Sequence, residues 1–137
     1  MVTMSNVMNI GQAAKQSTLS TKMIRYYEEI GLIEKVRRSD SGYRLYSEQD
    51  IKDLNFIRHA RDLGFSTQQI KELIQLWQNT NRQSAEVKQM TLKHIETLNQ
   101  KIEQLQNMVL LLQVSANQCA GDENTDCAIL DQLEKGI

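Results

Sequence analysis

The sequence predicts an all-α fold with a small β wing: several short helices with one hairpin, then a long helix, then a C-terminal loop. Three observations predict it. Serine caps mark three helix starts, glycines mark helix ends and a hairpin turn, and a heptad of apolar residues follows. Few aromatic residues (5%) and no proline among 137 residues argue against a large all-β or loop-rich enzyme.

Three of the helix starts share one pattern. An apolar residue and a serine are followed, four residues after the serine, by isoleucine. A serine N-cap accepts a hydrogen bond from a backbone N–H of the first turn, while the apolar residue before it packs on the fourth helical residue. The pattern occurs at Leu19-Ser20 with Ile24, at Tyr46-Ser47 with Ile51, and at Phe65-Ser66 with Ile70.

The helices of the N-terminal half are short. Gly31 and Gly64 are suited to end the second and third helices, because glycine tolerates the left-handed backbone of a C′ residue. The fourth helix carries apolar residues at the i, i+3, i+4, i+7 spacing of one buried face. We predict helices over residues 10–16, 21–30, 48–63 and 67–78.

A small hairpin is predicted between the second and third helices. Residues 36–38 and 43–46 flank a polar turn at 39–42, in which Gly42 stands where a positive φ is wanted. The first two helices have the size of a helix-turn-helix, and the hairpin beside them would be its wing.

A long helix with an apolar seam is predicted after the polar break at residues 79–81. One helix cannot bury such a seam alone, so we expect a coiled-coil dimerisation helix in a two-fold homodimer. The resulting domains are 1–79, 80–118 and 119–137, the last of them a loop followed by a short C-terminal helix. The seam consists of Ile95, Leu98, Ile102, Leu105, Val109 and Leu112.

The formal net charge of −1 is unevenly distributed. Residues 1–61 hold ten Lys/Arg against seven Asp/Glu, whereas the remainder holds six against ten, so the front half prefers polyanions. The apolar run at 108–112 is far too short to cross a bilayer, and the start lacks the pattern of a secretory signal. We therefore expect a cytoplasmic protein with reduced thiols.

The predicted second helix and wing carry a candidate DNA-binding surface. Lys22, Arg25 and Tyr26 fall on the helix side opposite its apolar residues. Arginine can read guanine or bind phosphate, while lysine and the tyrosine hydroxyl mainly contact the DNA backbone. For any single residue a solvated charged surface is an equal alternative. The hairpin adds residues that would reach flanking phosphates: Arg37, Arg38, Tyr43 and Arg44.

Cys119 and Cys127 flank a polar, glycine-containing segment and form a candidate metal site. Two thiolates can hold the soft ion Cu(I) without a further ligand, whereas Zn²⁺ normally requires four ligands, or three and a water. His59 and His94 are expected to be ordinary, partly exposed helical residues. Three acidic residues could supply oxygen ligands but are typical turn formers: Asp122, Glu123 and Asp126.

Three separated motifs resemble the N-terminal winged-helix signature of the MerR family of transcription regulators. They are residues 9–15 (NIGQAAK), 24–33 (IRYYEEIGLI) and 42–46 (GYRLY). The C-terminal part, with its seam and two cysteines, most resembles the copper-responsive, CueR-type branch of that family.

The resemblance implies a homodimer with antiparallel long helices that binds promoter DNA whose spacer is overlong. When Cu(I), Ag(I) or Au(I) is bound, the dimer distorts this spacer so that RNA polymerase engages both promoter hexamers. It also implies metal ligands at Cys119 and Cys127. The implied DNA contacts are Lys22, Arg25, Tyr26, Arg38, Tyr43 and Arg44.

Further positions bear on the metal. Branches that sense divalent or mercury ions resemble each other in carrying cysteine at the position of Ser84, so serine there favours a univalent ion, although Ser84 can equally be a cap or a surface residue. Copper-type loops usually have proline where Ala120 and Ala128 stand, and alanine leaves the unbound loop more freedom.

Several alternatives remain open. The cysteines could form a reversible disulfide in a redox sensor, or the regulator could sense a divalent metal. An iron–sulfur cluster is disfavoured because it usually needs four cysteines, and a drug sensor of the same family would need a further domain beyond residue 137. An enzyme is disfavoured because no nucleophile with an evident partner and no phosphate-binding glycine loop stands out, and a copper carrier would not need the wing.

Overall fold

The computed structural model describes residues 7–34, 36–119, 121 and 127–136. The predicted class, all-α with a small β wing and a long C-terminal helix, is confirmed for this part of the chain. In order, the elements are α1 (Ile10–Ser17), α2 (Thr21–Glu29), β1 (Arg37–Arg38), β2 (Arg44–Leu45), α3 (Glu48–Asp62), α4 (Thr67–Gln78), α5 (Ser84–Gln118) and α6 (Ala128–Lys135).

Side-chain caps begin the first four helices. Ser20, Ser47 and Ser66 each accept a hydrogen bond from the backbone N–H three residues on, as predicted. At Ser47 and Ser66 the side chain of that third residue accepts the serine's own N–H, which completes a capping box. Asn9 forms the same box with Gln12 at the start of α1, which was not predicted.

The apolar residues that follow these caps build the core of the N-terminal part. Ile24, Ile51 and Ile70, the fourth residues of their helices, are all buried, and so are Leu19 and Tyr46 from the residues that precede the caps. Burial of these side chains fixes the rotation of each helix about its axis. The opposite side of α2 is therefore directed to solvent.

The wing is an antiparallel pair in which Arg37 lies opposite Leu45 and Arg38 lies opposite Arg44. Gly42 has φ +87°, and its N–H donates to the carbonyl oxygen of Ser39 at 2.8 Å. Glycine adopts this positive φ, which the turn requires, without steric strain. The hairpin is thus the one expected between residues 36 and 46.

The chain divides into two compact units, Met1–Lys88 and Gln89–Ile137. The boundary falls inside α5, and the three-part division into 1–79, 80–118 and 119–137 stays a prediction. Among the described helices, none is both long and apolar enough to span a bilayer.

Candidate functional site

The exposed side of α2 presents the residues predicted to read DNA. Lys22 and Arg25 are exposed and Tyr26 is 43% exposed, while Ile24 and Tyr27 on the other side are buried. Since the helix is held by its buried side, its basic side is free to meet another surface. A protruding α-helix of this kind fits the major groove of B-DNA.

The turn of the wing carries two further predicted contacts. Tyr43 is 73% exposed at the hairpin turn. The guanidinium of Arg38 is exposed and donates through Nη1 to the carbonyl oxygen of Gly42 at 3.0 Å, which braces the turn. Both side chains are accessible to a phosphate backbone.

Arg44 forms an ion pair with another residue of the same chain. Its Nε donates to Oε2 of Glu28 at 2.9 Å, and the Arg44 and Glu28 side chains are 27% and 10% exposed. The ion pair joins β2 of the wing to α2, and the wing and α2 together carry the candidate DNA contacts. No role for Glu28 was predicted, because the pair is separated by 16 positions and has no local sequence pattern.

The two cysteines lie side by side although eight positions separate them. Cys119 follows the end of α5, Cys127 is the N-cap of α6, and their Sγ atoms are 3.5 Å apart. Hydrogen bonding by the backbone N–H of Leu130, then by the Cys119 thiol and the N–H of Ile129, lowers the pKa of Cys127. A helix start therefore favours the thiolate of Cys127.

The sulfur pair fits a single soft ion. With metal–sulfur bonds of about 2.3 Å, as for Zn²⁺, two sulfurs 3.5 Å apart would meet one ion at a bent angle of roughly 100°. A linear two-sulfur arrangement needs them about 4.6 Å apart, so binding in that form must move the two sulfurs apart by about 1 Å. Within the described residues no cluster of three or more His, Cys, Asp or Glu side chains could hold a metal. The oxygen candidates Asp122, Glu123 and Asp126 lie outside these residues, as does Ala120.

Four further residues bear on the choice of metal. Ser84 is the exposed first residue of α5, and Ala128 is the first residue of α6. His59 is exposed on α3. His94 is 5% exposed, so the expectation of a partly exposed residue was wrong for it.

A second contact joins α5 and α6 near the cysteines. The hydroxyl of Ser115 donates to the carbonyl oxygen of Leu111 at 3.0 Å and also contacts Oε1 of Gln132. Ser115 is 1% exposed. Neither residue was singled out from the sequence, since serine and glutamine are common on helix surfaces.

The apolar seam of α5 is largely exposed in the single chain. Ile95, Ile102, Leu105, Val109 and Leu112 each keep about half of their surface in solvent (48–59% exposed). Around Leu105 the helix surface forms an open apolar groove of about 520 Å³. Such a large exposed apolar surface marks an interaction site.

Residues 8–77 match the family model of the MerR HTH family regulatory protein, and residues 51–113 match the model described as MerR, DNA binding. Together the matches include α1 to α4, the wing and most of α5.

Individual relatives match nearly the whole chain. It is 49% identical over 129 residues to the heavy metal-dependent transcription regulator 2 of Rhizobium meliloti strain 1021, covering 94% of this chain and 88% of that one. It is 42% identical over 126 residues to the HTH-type transcriptional regulator CueR of Escherichia coli O6:H1 strain CFT073, covering 92% and 93%.

A solved structure has a similar fold. The transcription regulator PbrR691 from Ralstonia metallidurans CH34, crystallised in complex with lead(II), superposes with a TM-score of 0.77 at 28% identity and covers 92% of this chain and 98% of that one. The similarity therefore extends through the long helix toward the cysteine loop.

Proposed function

We propose, because the chain belongs to the MerR family of helix-turn-helix transcription regulators and not to a family of enzymes, that it activates transcription in response to a univalent soft metal ion. The signal is Cu(I), with Ag(I) and Au(I) as chemical equivalents, and its ligands are Cys119 and Cys127. The observation that carries a shared ion is the approach of the two Sγ atoms to 3.5 Å, while the choice of a univalent ion rests on the charge of the site and on serine at position 84. The regulator acts in the cytoplasm, where its thiols stay reduced.

The charge of the loaded site favours a univalent ion at the start of α6. Two thiolates around one univalent ion leave a net charge of −1, whereas a divalent ion would leave none. The backbone N–H groups of Leu130 and Ile129 lower the pKa of Cys127, and the positive end of a helix dipole stabilises a residual negative charge. A bound ion would link the end of α5 to the start of α6.

DNA is bound by two copies of the chain. Lys22, Arg25 and Tyr26 of α2 enter the major groove, while Arg38 and Tyr43 of the wing hold flanking phosphates. The seam of α5 pairs the copies, so that two half-sites are held at a set spacing. When both half-sites are bound, the favourable DNA contacts of the dimer offset the free energy of distorting the promoter spacer. RNA polymerase then engages both hexamers.

Helix α6 links metal binding to this distortion. Leu130 and Leu133 are 64% and 63% exposed, and Ile129 is half-buried, so α6 has an apolar side with little packing. Binding of a metal ion by Cys119 and Cys127 buries these residues and biases the dimer between two DNA-bound shapes.

A dithiol redox sensor is the second candidate, because the sulfur separation of 3.5 Å also suits disulfide formation. A divalent-metal sensor is the third, and a relative of similar fold was crystallised with lead(II). Transcription with the reduced full-length protein under anaerobic conditions separates the three.

In that experiment, Cu(I), Zn(II), Hg(II) and hydrogen peroxide are added separately to promoter DNA, RNA polymerase and the protein. We expect Cu(I) to raise transcription and Cys119→Ser or Cys127→Ser to abolish the rise, with promoter affinity unchanged because neither residue lies in α2 or the wing. Activation by peroxide without metal supports the redox sensor instead, and activation by Zn(II) alone supports the divalent one.

A further inference from the structure

Ser115 is an exception on its helix. Among residues 99–118 of α5 it alone is buried, at 1% exposure, although leucines in the preceding turn such as Leu111 and Leu112 are 47% and 50% exposed. Burying a hydroxyl is unfavourable unless it is hydrogen-bonded. The hydroxyl donates its single proton to the carbonyl oxygen of Leu111, so the side-chain amide of Gln132, on α6, bonds the hydroxyl oxygen through its N–H.

Helix α6 has few other means of holding its position. No residue of α6 is buried, and its leucines Leu130 and Leu133 are about two-thirds exposed. Gln132 is half-buried against Ser115, and Ala128 and Ile129 are half-buried as well. Since no apolar residue of α6 is fully buried, the polar contact contributes to the attachment of α6 to α5.

The contact lies next to the sulfur pair on both helices. Ser115 is one helical turn before Cys119, whose backbone N–H donates to the Ser115 carbonyl oxygen at 3.2 Å. Gln132 lies in the second turn of the helix that Cys127 caps. The ends of the cysteine loop are thus joined one turn outside the two sulfurs.

We propose that Ser115 and Gln132 form a clamp that holds Cys119 and Cys127 together before any metal arrives. The inference rests on the proposed function in one respect, since it assigns the clamp a role in metal affinity. Holding two ligands in place reduces the ordering that binding must otherwise impose on the loop, and so strengthens binding without touching the ion. Both are positioning residues and not ligands.

A metal-free measurement tests the clamp. In a glutathione buffer, oxidised glutathione takes two electrons and two protons from Cys119 and Cys127 and becomes two reduced glutathione molecules, while the cysteines form a disulfide. The equilibrium constant gives the effective concentration of one thiol at the other. The full-length chain is used, and promoter affinity confirms that each variant is folded.

We expect Ser115→Ala and Gln132→Ala each to lower this effective concentration about fivefold, the change that a net hydrogen bond of ~1 kcal/mol produces. The double variant should lose no more than either single variant, because both remove the same contact. Gln113→Ala, at an exposed position of α5, is the matched control and should have no effect.

Single variants that equal the Gln113→Ala control would overturn the clamp, and so would losses that multiply to about 25-fold in the double variant, since independent effects add in free energy. Cu(I) affinity should fall by the same factor as the effective concentration. If the thiol equilibrium responds as expected but the parent protein binds no Cu(I), the clamp stands and the proposed metal function fails.

Discussion

Cys127 differs from an ordinary surface cysteine because it lies at the N-cap position of α6 and beside a second thiol. The backbone N–H of Leu130, the Cys119 thiol and the backbone N–H of Ile129 favour its thiolate, which lowers its pKa. Metal ions and electrophiles react with the thiolate and not with the thiol. At neutral pH the shift raises the reactive fraction of Cys127, and fewer protons compete with the ion.

We expect the pH midpoint for alkylation of Cys127 by iodoacetamide, measured in a Cys119→Ser variant, to lie below the ~8.5 of a free cysteine. Adding Leu130→Pro removes the N–H that contributes most and should raise this midpoint, while proline is tolerated in the first turn of α6. Leu130→Ala keeps the N–H and is the control. Equal midpoints for the proline and alanine variants would show that the helix start does not act on the thiol.

At the scale of the elements, the Glu28–Arg44 ion pair joins the helix and the wing that carry the candidate DNA contacts. The Glu28 carboxylate is 10% exposed, so its charge is taken up mainly by Arg44. Fixing the wing on α2 aligns both elements with one stretch of duplex. Arg44 as a phosphate contact stays a prediction, and the pair gives it a structural role as well.

Glu28→Gln distinguishes the loss of the ion pair from the loss of a negative charge, because the two change promoter affinity in opposite directions. Removing a negative charge from a DNA-binding surface should by itself strengthen binding. We expect instead promoter binding about three- to tenfold weaker, because a partly buried ion pair worth roughly 1 kcal/mol is lost.

The neighbouring exposed Glu29 gives a control with the same charge change. Titration of labelled promoter DNA at fixed salt should show Glu29→Gln binding at least as tightly as the parent. If Glu28→Gln binds as tightly as Glu29→Gln, the ion pair does not position the wing.

Elements were predictable where their cause is local. Ser20, Ser47 and Ser66 bond to backbone three residues away, so the sequence itself shows the caps. The Glu28–Arg44 and Ser115–Gln132 contacts span 16 and 17 positions and depend on how elements pack. No spacing rule reveals such contacts, which is why these two were missed while the cysteines and the exposed basic residues were found.

For the whole molecule, the exposed seam of α5 predicts a partner, and we propose a second copy of the chain as that partner. Heptad spacing predicted the seam, and the structure shows its residues about half exposed in one chain. Two copies would also place two α2 helices on one DNA site. Dimerisation is therefore central to the proposed promoter binding.

Leu105→Glu tests this assembly. A charge in the centre of the seam should weaken dimerisation at least 100-fold, because burying an unpaired carboxylate costs ~3 kcal/mol or more. Analytical ultracentrifugation at micromolar concentration should then give the 15.8 kDa mass of one chain. Asn107→Glu adds the same charge at an exposed position off the seam and should leave a dimer. A dimer in both variants would contradict pairing through this seam.

The most direct measurement of the proposed metal site is X-ray absorption spectroscopy of the full-length protein loaded anaerobically with Cu(I). We expect one ion per chain with two sulfur neighbours, and no binding at that stoichiometry when Cys119 and Cys127 are both replaced by serine. A shell of three or four ligands, or an ion that remains bound to the double serine variant, would contradict a two-thiolate metal sensor.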